Sequence, residues 1–325
     1  MDYWATDEAT ARLLSHLGCA GEEQMLERLH IDKPFLAEPR YVGPALPADT
    51  DMFGCRYRSI SYGTGFYREC VHHPLAGFET LADIKASYRW PSPDWMDYSG
   101  IAAQVAAHDR FPVRGGGSEP FLIYKDLRGD EQAFVDLMEK PDIAHWCLGR
   151  LFKLAYANTQ AIYDAIPGKV TFSIVAEDMG AQDDLMLSPA QIREFLIPGM
   201  KRIIDAVHQA GAFVFHHNDG AIRRILPDMI EAGIDVLNPI QWRCGGMERE
   251  GLKRDFGGRL VFHGGMDNQQ TLPFGTVDDV RQEVQDNLGI LGAGGGYILA
   301  PCHNIQAVSP PENVVALYET GYALG

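Results

Sequence analysis

Three things are scarce in this sequence, and each scarcity excludes something. Six cysteines are spread over 325 residues, at Cys19, Cys55, Cys70, Cys147, Cys244 and Cys302. No two are close in sequence, so there is neither a disulfide framework nor a CxxC zinc or redox motif, and the thiols are expected to be mostly buried. Basic residues are outnumbered, 28 against 44 acids, for a formal net charge of −16. A chain of that sign lacks the basic face that releases counterions from a phosphate backbone, which excludes a generic nucleic-acid binder. Long apolar runs are missing too. No window reaches the roughly 18 residues of a membrane span, and Met1-Asp2-Tyr3-Trp4-Ala5-Thr6 does not begin a basic stretch followed by an apolar one. The expectation is a cytoplasmic protein with neither a membrane nor a nucleic-acid partner.

What is present belongs to an ordinary globule, 46% hydrophobic and 22% charged. Residues 1 to about 105 are broken by Pro34, Pro39, Pro44, Pro47, Pro74, Pro91 and Pro93. Two short amphipathic helices, near 7–17 and 22–29, are predicted there, with the rest wrapping a larger body. From about residue 111 short apolar runs alternate with helical segments: Phe111 to Val113, Val170 to Val175, Ala212 to Phe215, Val236 to Leu237, Leu260 to Phe262 and Tyr297 to Leu299. Strand then helix, repeated, predicts a parallel sheet. Ile192, Phe195, Leu196, Ile203, Ile204 and Val207 recur at helical spacing, with Pro198 expected to kink or split that helix. Gly211 and Gly233 fall where left-handed helix ends belong. Gly115-Gly116-Gly117 and Gly294-Gly295-Gly296 lack phosphate-loop spacing and read as strand-end turns.

Four apolar runs end in polar clusters: Glu177-Asp178, His216-His217-Asn218-Asp219-Gly220, His263-Gly264-Gly265-Met266-Asp267 and Cys302-His303-Asn304. Acids, imidazoles and a thiol at successive strand ends suit a metal or acid/base site in a barrel mouth. Each cluster has a plainer alternative. Glu177 and Asp178 can pair with loop amides or an arginine, Asp219-Gly220 can cap a helix, and Cys302 can be a buried free thiol. His263, Asp267 and Cys244 read as structural. His216 and His217 are adjacent on a strand, so only one faces the barrel axis.

The string Phe215 to Arg223, the stretch Ile230 to Gln241, and the tail from His303-Asn304-Ile305-Gln306 to Pro310-Pro311-Glu312-Asn313-Val314 resemble the uroporphyrinogen decarboxylase superfamily. Within it they are most similar to the corrinoid-linked methyltransferases. The resemblance runs from about residue 110 to the C-terminus, with a weaker echo in Pro74-Leu75-Ala76 and Trp90-Pro91-Ser92-Pro93-Asp94. It implies a single (β/α)8 TIM barrel over 1–325, with 1–105 as an irregular wrapping extension, 106–325 as the main barrel, and the site at the C-terminal strand ends. The zinc-dependent methyltransferases of the group bind zinc through a His-x-Cys and a distant Cys. Carried over, His217 matches the histidine, Asp219 stands where the first cysteine belongs, and Cys302 lies beside the second. A carboxylate in that set makes the site harder and favours polarising a substrate oxygen over activating a thiol.

The first function hypothesis is therefore a methyltransferase or O-demethylase component. It would move a methyl group between a small methylated substrate and the cobalt of a separate corrinoid (cobalamin) protein, with zinc on His217, Asp219 and Cys302. Asp178, Glu177 and His303 are its catalytic candidates, and the amides of Gln182, Gln241 and Asn304 its substrate-binding ones. The second is a metal-free decarboxylase in which Asp178 and His303 handle protons. Against it, the arginine-rich segment of those decarboxylases is reduced here to Arg40-Tyr41. The third is a barrel without chemistry that binds a small ligand or a corrinoid protein. Alternation puts Ala212, Val214 and His216 on one face and Phe213, Phe215 and His217 on the other, and the resemblance implies that the second face, with His217, turns to the cavity.

Overall fold

The structure, a computed structural model, describes residues 1–61, 63, 65–108 and 110–325. Seven parallel strands curl into one sheet: β1 (Phe35–Ala37), β2 (Val113–Ser118), β3 (Phe172–Val175), β4 (Phe213–His217), β5 (Val236–Asn238), β6 (Val261–Met266) and β7 (Tyr297–Pro301), neighbours in that order. Helices on the outer face connect them, which is the α/β barrel expected of repeated strand-helix units. The edges β1 and β7 do not pair with each other. The segment Asp2–Thr6 runs along β7 instead: Asp2 N donates to Leu299 O, Ile305 N to Trp4 O and Thr6 N to Ile305 O, while Met1 O accepts from Asp32 N just ahead of β1.

Six of the strands lie where apolar runs were read, and the differences have local causes. β1 was not foreseen, because three residues between Pro34 and Pro39 carry no periodicity. The run at Val113 continues through the glycines rather than ending in a turn. β2 reaches Ser118 by way of a bulge between Arg114 and Gly117. Gly117 has φ +116°, and a Cβ there would lie 1.9 Å from Ile174 O on β3, so only glycine permits the strands to approach this closely. Gly294 to Gly296, by contrast, do form a turn before β7.

The early helices lie at Asp7–Leu17 and Glu22–Arg28, close to their predicted bounds. Pro198 splits its helix as expected: a single π turn, Ile192–Leu196, precedes the α-helix Ile197–Gln209, because the proline offers no N–H to the turn before it. Gly211 and Gly233 both have positive φ at helix ends.

The N-terminal third and the barrel share one apolar core, in which Ala37, Phe53, Leu75, Ile84 and Ile101 are continuous with Val113, Phe121 and Leu148. A buried ion pair stitches them together. Arg128 reaches Asp136 at 2.7 Å and donates to the carbonyls of Leu75 and Phe78, the second at 3.0 Å. Residues 40–97 add a β-hairpin, Arg56–Ser61 with Phe66–His72, and a small pair, Arg40–Tyr41 with Met96–Asp97. All six cysteines are free, four of them buried. No helix among the described residues is long and apolar enough to cross a membrane.

Candidate active site at the barrel mouth

Strand alternation decides which polar residues reach the lumen. Phe213 and Phe215 line a cavity of about 660 Å³ at the N-terminal ends of the strands, so His217, two residues on, faces the same interior at the opposite, C-terminal end. His216 points the other way and is fully buried. Its Nδ1 donates to Val175 O at 2.6 Å, and burial pushes its pKa down to about 4, so it stays a neutral framework group.

His217 meets the acids of its own strand end and of β3. Donor atoms of Asp178, His217 and Asp219 all lie within 4.8 Å of one another, a grouping that could hold a metal ion. His217 Nε2 is 3.7 Å from Asp178 Oδ1, which in turn accepts from Asp219 N at 3.1 Å. Asp219 carries the site's least satisfied atom: its Oδ1 is buried with no hydrogen-bond partner. Burial raises its pKa, while His217 pulls the other way. A close backbone approach and a side-chain hydrogen bond hold this geometry. A Cβ on Gly180 would lie 2.5 Å from Asp219 O, so the loops after β3 and β4 touch main chain to main chain. Gly220 N then donates to Gln241 Oε1 at 2.6 Å.

His303 enters from the end of β7, with Nε2 3.8 Å from Asp219 Oδ2 and Nδ1 donating to Asn304 Oδ1. Trp4 of the N-terminal segment leans over it, with ring centroids 4.4 Å apart. The remaining candidates lie elsewhere. Glu177 is fully buried, and its carboxylate accepts from Phe121 N at the start of the helix Pro120–Arg128. Burial raises its pKa well above the ordinary range, and the side chain serves as a helix anchor behind the mouth. Gln182 donates to Arg243 O, and Gln241 is taken up in holding Gly220. Cys302 is buried, donates to Ile240 O at 3.1 Å, and is kept a thiol by burial. It is not among the three groups drawn together at the mouth.

Sequence reasoning missed Ser118 and Glu119 at the end of β2. Burial and then the nearby Asp178 raise the pKa of Glu119, whereas His217 draws it back. Ser118 Oγ is buried without a partner. Both line a second cavity, of about 400 Å³, between the barrel and the N-terminal third, together with Tyr41, Phe53, Met96 and Tyr98. The signal was available: had the apolar run at Val113 been carried through the glycines, Ser118-Glu119 would have stood as a fifth polar strand end.

Comparison with known proteins fits this geometry. The family profile of uroporphyrinogen decarboxylase (URO-D) matches residues 78–323. The uroporphyrinogen decarboxylase of Thermus thermophilus is 31% identical over 243 residues, 73% of this chain and 60% of the relative. The chloroplastic enzyme of Zea mays is 27% identical over 272 residues, 77% of this chain and 62% of the relative. The chain thus spans about three-fifths of the length of these curated relatives. A methyltransferase from Methanosarcina mazei shares the fold, with TM-score 0.65 over 98% of this chain and 92% of that one, at 19% identity. With the profile covering most of its length and motifs falling on the strands that build the mouth, the chain belongs to the uroporphyrinogen decarboxylase family.

Proposed function

We propose that this protein is a methyltransferase that takes the methyl group of a small methyl ether, aryl or alkyl, and passes it to the cobalt of a corrinoid protein. A zinc ion held by Asp178, His217 and Asp219 would serve the substrate oxygen. The observation that carries the reading is the charge of the mouth. Its facing donors are two carboxylates and an imidazole, and one carboxylate oxygen is buried with nothing to accept from. Such an oxygen is costly unless a cation meets it, so the residues fit a metal. The adjoining cavity supports an uncharged organic substrate: Tyr41, Phe53, Met96, Tyr98 and Leu154 line it with the acids Glu38 and Glu119, and no lysine or arginine is among its lining residues.

The same charge argues against the activity that names the curated relatives. A porphyrinogen with eight carboxylates needs several convergent basic side chains. Arg114 of β2 already feels the charges of Glu38, Asp2 and Glu119.

A bound divalent ion would supply Lewis acidity to the ether oxygen, which makes the methyl carbon more open to attack. The chain's own residues do the remaining work. The apolar cavity holds the organic group, and the Trp4 ring packs against His303. His303 donates Nδ1–H to Asn304 and directs Nε2 at the mouth; as the imidazolium, with a proton on both nitrogens, it gives the Nε2 proton to the departing oxygen and is left neutral.

Two measurements test this. Purified protein should contain about one zinc per chain. With 2-methoxyphenol and cob(I)alamin it should form methylcobalamin, seen by absorbance. Metal-free protein that decarboxylates uroporphyrinogen would overturn the reading.

A further inference from the structure

A line of polar side chains runs from the mouth through the lumen toward the opposite end of the barrel. His217 Nδ1 lies 2.6 Å from Asn238 Oδ1, Asn238 Nδ2 lies 2.7 Å from His263 Nδ1, and His263 Nε2 lies 3.1 Å from Asp2 Oδ2. The four residues come from β4, β5, β6 and the N-terminal segment, one from each, and His217 and Asn238 are paired in register. His263 and Asn238 are buried.

The order of donors follows from chemistry, starting at the far end. A carboxylate only accepts, so the proton between His263 and Asp2 sits on His263 Nε2. In a neutral imidazole Nδ1 is then bare and takes its hydrogen bond from the Asn238 amide NH2. That fixes the amide orientation and turns Oδ1, which only accepts, toward His217. His217 must therefore carry its proton on Nδ1, and its Nε2 is left bare. At 3.7 Å from Asp178 Oδ1, Nε2 makes no hydrogen bond that would call for a proton there.

We propose that Asn238, oriented by His263 and Asp2, is a positioning residue that locks His217 in the Nδ1–H tautomer and so presents Nε2 as a donor to the mouth. The tautomer assignment stands on the lumen contacts alone, while its use in holding zinc rests on the function proposed above. Partners behind a ligating histidine typically change metal affinity about 10- to 100-fold.

The first test needs no variant: nitrogen-15 spectra of imidazole groups in the metal-free wild-type protein. They should show His217 as Nδ1–H and His263 as Nε2–H. An Nε2–H form of His217, or a charged His263, overturns the proposal. The second test is zinc titration of two variants. Asn238→Leu removes the acceptor and should weaken zinc binding about 10- to 100-fold. Asn238→Asp keeps an acceptor for His217 Nδ1–H and should restore most of the affinity, although it cannot donate to His263; equal losses in both variants would mean a packing role only. Should Asn238→Leu fail to fold, His263→Phe, which frees the amide to turn, should give mixed His217 tautomers, and a single unchanged tautomer would count against the lock. If the wild-type tautomers are as stated yet zinc does not bind, the metal reading fails and the tautomer assignment survives.

Discussion

His217→Ala should abolish zinc uptake, measured by metal analysis, and lower stability in urea by about 1 to 3 kcal/mol because the buried Asn238 oxygen loses its donor. Cys302→Ala separates the sequence-based ligand set from the geometric one. Its thiol bonds a backbone carbonyl and lies outside the cluster of three, so zinc content should be retained while stability falls by about 1 kcal/mol for the lost S–H contact. Zinc lost from Cys302→Ala would restore that cysteine to the ligand set. At this scale the sequence disclosed direction well and distance poorly. Alternation separated His217 from His216, and the family resemblance chose which of the two turns inward. Spacing could not tell that Glu177, one residue before Asp178, turns away to hold a helix amide, or that Trp4 comes to rest against His303, some three hundred positions downstream.

Elements are governed here by how closely backbones approach. Gly117→Ala would drive a Cβ into the carbonyl of Ile174 from a positive-φ residue, and should cost at least about 3 kcal/mol in urea unfolding, since strain and clash add. Gly149 is a fitting control: it lies within the helix Pro141–Ala165 with nothing within 4 Å of an added Cβ, and Gly149→Ala should stabilise by about 0.5 to 1 kcal/mol. Two glycines, opposite signs, one measurement. The strand-helix alternation was legible because each run after residue 111 buries apolar side chains at regular spacing. The first strand was not, nor was the reach of the second beyond Val113, since three residues show no period and glycine carries no hydrophobic signal at all.

For the whole molecule the buried Arg128–Asp136 pair joins the N-terminal third to the barrel. Burial alone would raise the Asp136 pKa, but hydrogen bonds from Arg128, Tyr124 and Gln132 outweigh it and hold the carboxyl below its usual range. A depressed carboxyl contributes stability above its unfolded pKa of about 3.9, and that contribution is lost as pH falls through the lower folded value. Acid unfolding followed by circular dichroism should therefore steepen below about pH 4. Arg128→Met should cost about 3 to 5 kcal/mol at neutral pH by leaving Asp136 buried and unpaired, and should flatten the acid limb. That stitch was invisible in sequence, because neither residue stands in a motif.

The contacts of Asp2 with Leu299 and of Trp4 with Ile305 bear on the order of folding. They join positions roughly 300 residues apart, so a very long loop must close. The gap between the edge strands therefore seals after both edges exist, and His303 receives its indole cover in the same event. In refolding from urea, Trp4 emission should settle in the slowest phase, behind the recovery of helix, and should coincide with the arrival of His303 at the mouth. A site built across that seam is assembled only when two distant segments of the chain have met.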